Sequence, residues 1–67
     1  MTLDELNNAS SQARADFFHS QCAAQRWVDR MTQSAPFASK AAILSAARDH
    51  WAAMNEPDWR EAFDGHP

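Results

Sequence analysis

The sequence predicts an all-α protein built from four to five short helices. The chain contains one glycine and no tyrosine. Residues that favour helix interiors, above all Ala and together with it Gln, Arg, Glu, Leu and Met, make up much of the sequence. No segment alternates apolar and polar residues with the period of two that is typical of a half-buried β-strand. Residues that cap helices recur before segments of helical periodicity, so we expect helices to follow one another along the whole chain.

Each predicted helix combines a start signal with apolar residues at helical spacing. We expect helices from Leu3 to about Asn8, from about Ser11 to Gln21, from Ala24 to Gln33, from Lys40 to about Met54, and between Asn55 and Gly65. The expected capping residues are Thr2, Ser10 or Ser11, Ser39 and Asn55. Pro36 ends the third helix because it biases the residue before it away from helical geometry.

Three of these helices have an apolar face that we expect to be buried. The predicted inner residues are Trp27, Val28 and Met31 on the third helix, Ile43, Leu44, Ala47, Trp51 and Met54 on the fourth, and Trp59, Ala62 and Phe63 on the last. All three tryptophans are therefore assigned to core packing rather than to a stacking platform for bases or sugars. A chain of 67 residues buries little surface, so the domain should be marginally stable alone.

Charge and cysteine content restrict the class of partner and the compartment. The formal net charge is −3 and no basic run is present, which argues against nucleic acid because binding to phosphates needs a basic face. The first residues include acids and form no apolar core, so they predict neither a signal peptide nor a membrane span. A single cysteine, Cys22, cannot form an internal disulfide, and a reducing cytoplasm is the expected location.

His66 is the leading candidate for chemistry in the chain. It follows Gly65, a typical residue for ending a helix, and a histidine exposed at such a rim titrates near neutral pH. These properties suit acid–base catalysis. The alternative is a solvated side chain near the end of a helix, and the residues alone leave both interpretations open.

Other polar residues give weaker signals. His19, Cys22, His50 and His66 are of the types that bind zinc, but their spacing matches no paired ligand motif. Cys22 has no recognisable base beside it, so we interpret it as a small buried or half-buried residue rather than a nucleophile. The acids of the last helix, Asp58, Glu61 and Asp64, are expected to form a solvated face.

Five sequence features occur together in a recognisable order. They are Arg26-Trp27-Val28, Pro36-Phe37-Ala38-Ser39, Trp51, Asp58-Trp59 through Phe63, and His66-Pro67. In this order the chain resembles the N-terminal part of the OHCU decarboxylases. OHCU is 2-oxo-4-hydroxy-4-carboxy-5-ureidoimidazoline, and these enzymes convert it to S-allantoin at the end of urate oxidation.

The resemblance implies both a site and its limits. It implies that residues 1–67 are the N-terminal part of a helical domain whose C-terminal part is absent, that His66 is the catalytic acid–base group, and that Pro67 lines the substrate pocket. It also implies a small-molecule substrate, no cofactor, and a possible homodimer. The family's second acid–base residue is a glutamate in a Ser-x-x-Glu-Gln motif, which this sequence lacks. The isolated chain is therefore expected to be an incomplete, inactive portion of the enzyme.

A different class of function remains open beside the enzyme. A marginal helical domain can be kept for packing against a partner. In that case the chain is a small non-catalytic interaction module that uses the faces bearing Trp27, Trp51 and Trp59.

Overall fold

The computed structural model describes residues 1–65, and these residues form five α-helices and no strand. The helices are α1 (Leu3–Asn8), α2 (Ser11–Gln21), α3 (Gln25–Ser34), α4 (Lys40–Ala52) and α5 (Glu56–Asp64). The predicted all-α fold is confirmed, and the helix boundaries agree with the expected ones within about two residues, the usual uncertainty of helix ends.

Local capping signals explain where the first, second and fourth helices begin. The Thr2 hydroxyl accepts a hydrogen bond from the Glu5 N–H at 3.1 Å, and the Glu5 carboxylate accepts one from the Thr2 N–H at 3.2 Å. Ser10, rather than Ser11, caps α2, and Ser39 caps α4; each hydroxyl accepts from the backbone N–H three residues later at 3.1 Å. Side-chain oxygens thus satisfy N–H groups that have no partner within their helix.

The core forms around α3, which packs against α2, α4 and α5. As predicted, Trp27, Val28 and Met31 are buried on one face of this helix. The ring of Phe18 meets that of Trp27 edge-on, with 5.9 Å between centroids. The other buried apolar residues are Leu6, Ala24, Phe37, Met54 and Ala62.

The connections around α1 are held by side chains bound to backbone. Asn7 donates to the carbonyl of Phe37 and accepts from the Phe37 N–H, both at 2.8 Å. Arg14 donates to the carbonyls of Leu6, Asn7 and Ala9, which lie at the end of α1. The connector between α3 and α4 contains a cis peptide bond at Ala35-Pro36.

The predicted buried stripe on α4 is wrong. No residue of this helix is buried, and the Leu44 side chain is 62% exposed. Ile43 and Ala47 are only partly buried, and Met54 is buried but lies beyond the end of α4. Helical periodicity shows which face of α4 is apolar, but within residues 1–65 no further helix covers that face.

The prediction for the other aromatic residues is also wrong in part. Of the three tryptophans only Trp27 is buried, and its indole N–H donates to the carbonyl of Ala47 at 3.1 Å. Trp51 and Trp59 are each 36% exposed, and Phe63 on the expected inner face of α5 is 71% exposed. Trp59 donates to the Trp51 carbonyl at 3.3 Å, so these two residues join α5 to α4 near the surface.

None of the helices in the described part of the chain combines the length and the hydropathy needed to cross a membrane.

Candidate functional site

The helix that leads to the predicted catalytic residue is α5. Asn55 is its N-cap residue, Pro57 lies in its first turn, and Gly65 is its C-cap residue. A proline is tolerated in the first turn because its missing N–H would have no helical partner there. His66 and Pro67 follow directly in the sequence but lie outside the described residues, so their catalytic and binding roles stay predictions.

Asp58 ties the start of α5 to α3. Its carboxylate is buried and accepts hydrogen bonds from the Arg26 guanidinium at 2.9 Å and from the Asn55 N–H at 3.1 Å. The expectation that Asp58 belongs to a solvated face is therefore wrong. Asp58 lies three residues after the N-cap, which is the spacing of a capping box. This local signal could have identified Asp58 as a capping residue.

Glu61 makes a second tie between the same two helices. Ala24 is the N-cap residue of α3 and provides no side-chain hydrogen bond. The Glu61 carboxylate supplies the acceptor instead and takes the N–H of Gln25 at 2.7 Å. A carboxylate at a helix N-terminus is also favoured by the helix dipole. Glu61 is exposed as expected, but its contact with α3 could not be seen in the sequence.

Gly65 ends α5 in close contact with the junction of α2 and α3. Its φ of −78° is an ordinary helical value, so the position does not need glycine for a left-handed conformation. A Cβ atom placed on Gly65 would instead collide with the Cβ of Ala23. The predicted helix end at Gly65 is confirmed, but the reason for glycine there is lack of space.

These contacts form one series along α5, which we call the α3–α5 seam. It consists of the pairs Ala23 with Gly65, Gln25 with Glu61, and Arg26 with Asp58. From Ala23 to Arg26 the partners on the other segment run backwards from Gly65 to Asp58, so the two segments are antiparallel. The seam fixes α5 at both ends and therefore fixes the point from which the chain continues to residue 66.

The other candidate metal ligands among the described residues do not lie close together. Among residues 1–65, no three His, Cys, Asp or Glu side chains lie close enough together to bind a metal ion. Cys22 is a half-buried free thiol, as expected. His50 instead contacts Ser34, with 2.8 Å between Nε2 and Oγ. The Ser34 hydroxyl already donates to the Arg30 carbonyl, so we assign the donor role in this contact to His50 Nε2–H.

An apolar groove of about 940 Å³ is lined by residues of α2, α3, α4 and α5. Aromatic and aliphatic side chains dominate its lining, among them Phe17, Trp27, Ile43, Trp51 and Phe63. Among the described residues that line it, Arg48 is the only charged one. A groove of this composition is poorly suited to a small substrate with a carboxylate and many hydrogen-bonding groups.

Comparison with known proteins gives one family. The family model described as OHCU decarboxylase matches residues 7–67. This range includes the whole α3–α5 seam and continues through His66 and Pro67. Searches of the curated proteins and of the solved structures gave no significant match. The chain therefore belongs to the OHCU decarboxylase family, whose members are lyases of urate degradation.

Proposed function

We propose that this protein takes part in the decarboxylation of OHCU to S-allantoin, with His66 as the acid–base residue and Pro67 in the lining of the substrate pocket. The family match carries this proposal because it extends through both residues. The α3–α5 seam supports it, since it holds the end of α5 directly before His66.

The decarboxylation needs a group that delivers a proton to a defined atom of the substrate. The bond between the ring carbon and the carboxylate breaks, CO2 leaves, and the electron pair moves into the adjacent C=N group of the substrate. The nitrogen of that group takes up a proton, the neighbouring ureido-bearing carbon is protonated on one face, and the hydroxyl group loses its proton to become a carbonyl, which gives S-allantoin. Because the substrate accepts the electrons itself, the protein has to orient it, stabilise developing charge and deliver the proton. A histidine is suited to the last task.

The proposal includes a second group that these 67 residues do not encode. The family's glutamate belongs to a Ser-x-x-Glu-Gln motif, and this sequence contains no such motif. We expect the 67-residue chain alone to be inactive for that reason. A cytoplasmic location, expected from the single cysteine, and the homodimer that the resemblance implies belong to the same proposal.

The test is the decay of freshly generated OHCU, followed by circular dichroism. We expect no acceleration by the 67-residue chain, and acceleration to S-allantoin by the product of the full open reading frame. His66→Ala should remove the acceleration. His19→Ala is the matched control, because it removes a histidine from the exposed surface of α2. If the full product does not accelerate the decay, the proposed function is wrong.

One observation favours a second candidate, the helical interaction module. Leu44, Trp51, Trp59 and Phe63 are large apolar residues with substantial exposure. Exposed apolar patches often mark surfaces that bind other proteins. Absence of decarboxylase activity in the full product would make this the better account.

A further inference from the structure

We propose that Ala23 and Gly65, supported by the ion pair of Arg26 with Asp58, are positioning residues for the acid–base chemistry. Their contact sets the place and direction of the end of α5, to which His66 is attached. This inference rests on the proposed function of His66. It adds that the α2–α3 junction, more than forty residues earlier in the sequence, controls the efficiency of the proton transfer.

The first step of the argument is the regular spacing of the seam on α5. Asp58, Glu61 and Gly65 follow one another at intervals of three and four residues, so they lie on one face of the helix. All three meet residues 23–26. With contacts at its first turn, its middle and its C-cap residue, α5 cannot rotate or slide along α3 without breaking some of them.

The second step is the kind of contact that Gly65 makes. Any residue can adopt its φ of −78°, so a glycine is not required for the backbone conformation. It is required because the Cβ of Ala23 occupies the space that a side chain would need. Gly65 thus lies as close to the α2–α3 junction as backbone atoms and one methyl group allow.

The third step connects this contact to the rest of α5. The Gly65 N–H donates to the Glu61 carbonyl at 3.1 Å, so the helical turn continues to the last residue of the seam. The Glu61 side chain is bound to the N–H of Gln25. Asp58 holds the first turn of the same helix through Arg26. The position of Gly65 is therefore determined by contacts of α5 with residues 23–26.

Such control matters because proton transfer depends on distance. A displacement of about 1 Å at a catalytic group can reduce a rate by about a hundredfold. In Gly65→Ala the added methyl group would lie too close to the Cβ of Ala23, so α5 and the α2–α3 junction must move apart. The displacement occurs one residue before His66.

The kinetic test uses the product of the full open reading frame and an exchange of the two side chains. We expect Gly65→Ala to lower kcat by about tenfold to a hundredfold with little change in KM. The double variant Gly65→Ala with Ala23→Gly returns the missing space and should recover most of kcat. Ala53→Gly is the control, since Ala53 is the C-cap residue of α4 with a similar φ of −85°.

A second measurement separates positioning from catalysis and from folding. In Ala23→Val the larger side chain presses on Gly65 from a position remote in sequence. We expect the amide NMR signals of Gly65 and His66 to shift while the Phe18 signals stay close to those of the unsubstituted protein. The overpacked contact should lower the thermal unfolding midpoint without unfolding the protein.

The outcomes separate the two proposals. If the unsubstituted product has no decarboxylase activity but the NMR signals shift, the proposed function fails and the positional contact stands. If the product is active and Gly65→Ala has an unchanged kcat, or if the exchange of side chains gives no recovery, the positioning proposal is overturned.

Discussion

The guanidinium of Arg26 donates to the buried carboxylate of Asp58 across 2.9 Å and thereby joins the first turn of α3 to the first turn of α5. The same carboxylate accepts the N–H of Asn55. One side chain therefore caps a helix and fixes its position against the core. Arg26 is half exposed to solvent, so the capping bond and the burial of Asp58 matter more for stability than the attraction of the charges.

Replacing Asp58 should lower the stability of the fold. We expect Asp58→Ala to reduce the free energy of unfolding by about 1–2 kcal/mol, because it removes a cap and a charged hydrogen-bond acceptor. Urea unfolding followed by circular dichroism at 222 nm, the usual far-ultraviolet helix signal, measures the change. Asp64→Ala is the control on the same helix, since Asp64 is exposed. Equal losses in the two variants would contradict the assigned role of Asp58.

The different burial of α3 and α4 gives a second prediction. Met31 is fully buried and Leu44 is 62% exposed. Met31→Ala should cost about 2–5 kcal/mol through lost burial and the cavity that remains. A core of this size supplies about 3–5 kcal/mol in total, so we expect that variant to be largely unfolded. Leu44→Ala should change the stability by less than about 0.5 kcal/mol. A large loss in Leu44→Ala would show that α4 is covered in solution.

The two hydrogen bonds of Asn7 give a third prediction. This side chain connects α1 to the backbone of Phe37 in the connector before α4. Asn7→Ala leaves a part-buried N–H and a part-buried carbonyl without these partners, and we expect a loss of about 1–3 kcal/mol. Asn8→Ala is the matched control, because Asn8 is exposed on the same helix. The prediction fails if both variants unfold at the same urea concentration.

The capping box of α1 should respond to acid. The hydrogen bond from the Thr2 N–H lowers the pKa of Glu5 below its ordinary value of 4.5. The pKa of Glu5 is lower in the folded protein than in the unfolded chain. The carboxylate therefore stabilises the fold at pH values above its unfolded pKa, and this contribution is lost as the pH falls through the folded pKa. An NMR titration of the Glu5 carboxyl carbon should therefore have its midpoint below 4.5. The Thr2 amide signal should move with the same midpoint, and a midpoint at or above the ordinary value would contradict the capping box.

Local signals in the sequence were sufficient for the order of the helices. Thr2, Ser10 and Ser39 each lie before a helix, and their bonds reach only three residues along the chain. The burial of Asp58 depends on Arg26, which is 32 positions away. No periodic pattern reports a contact over that separation.

The exposed face of α4 illustrates a second limit. Ile43, Leu44 and Trp51 have the spacing of a buried stripe, and this spacing correctly indicates a helix with an apolar side. The spacing does not encode whether another element covers that side. The order of motifs in the sequence, which ends in His66 and Pro67, was enough to name the candidate site residues. The α3–α5 seam that holds the preceding helix could be recognised only from the structure.

The most direct test of the central claim is the rate of OHCU decay with the product of the full open reading frame and with its His66→Ala variant. The account predicts acceleration to S-allantoin that disappears in His66→Ala, while the far-ultraviolet circular dichroism of the protein is unchanged. Equal acceleration by both proteins would contradict the assignment of His66. Acceleration by neither would contradict the decarboxylase function itself.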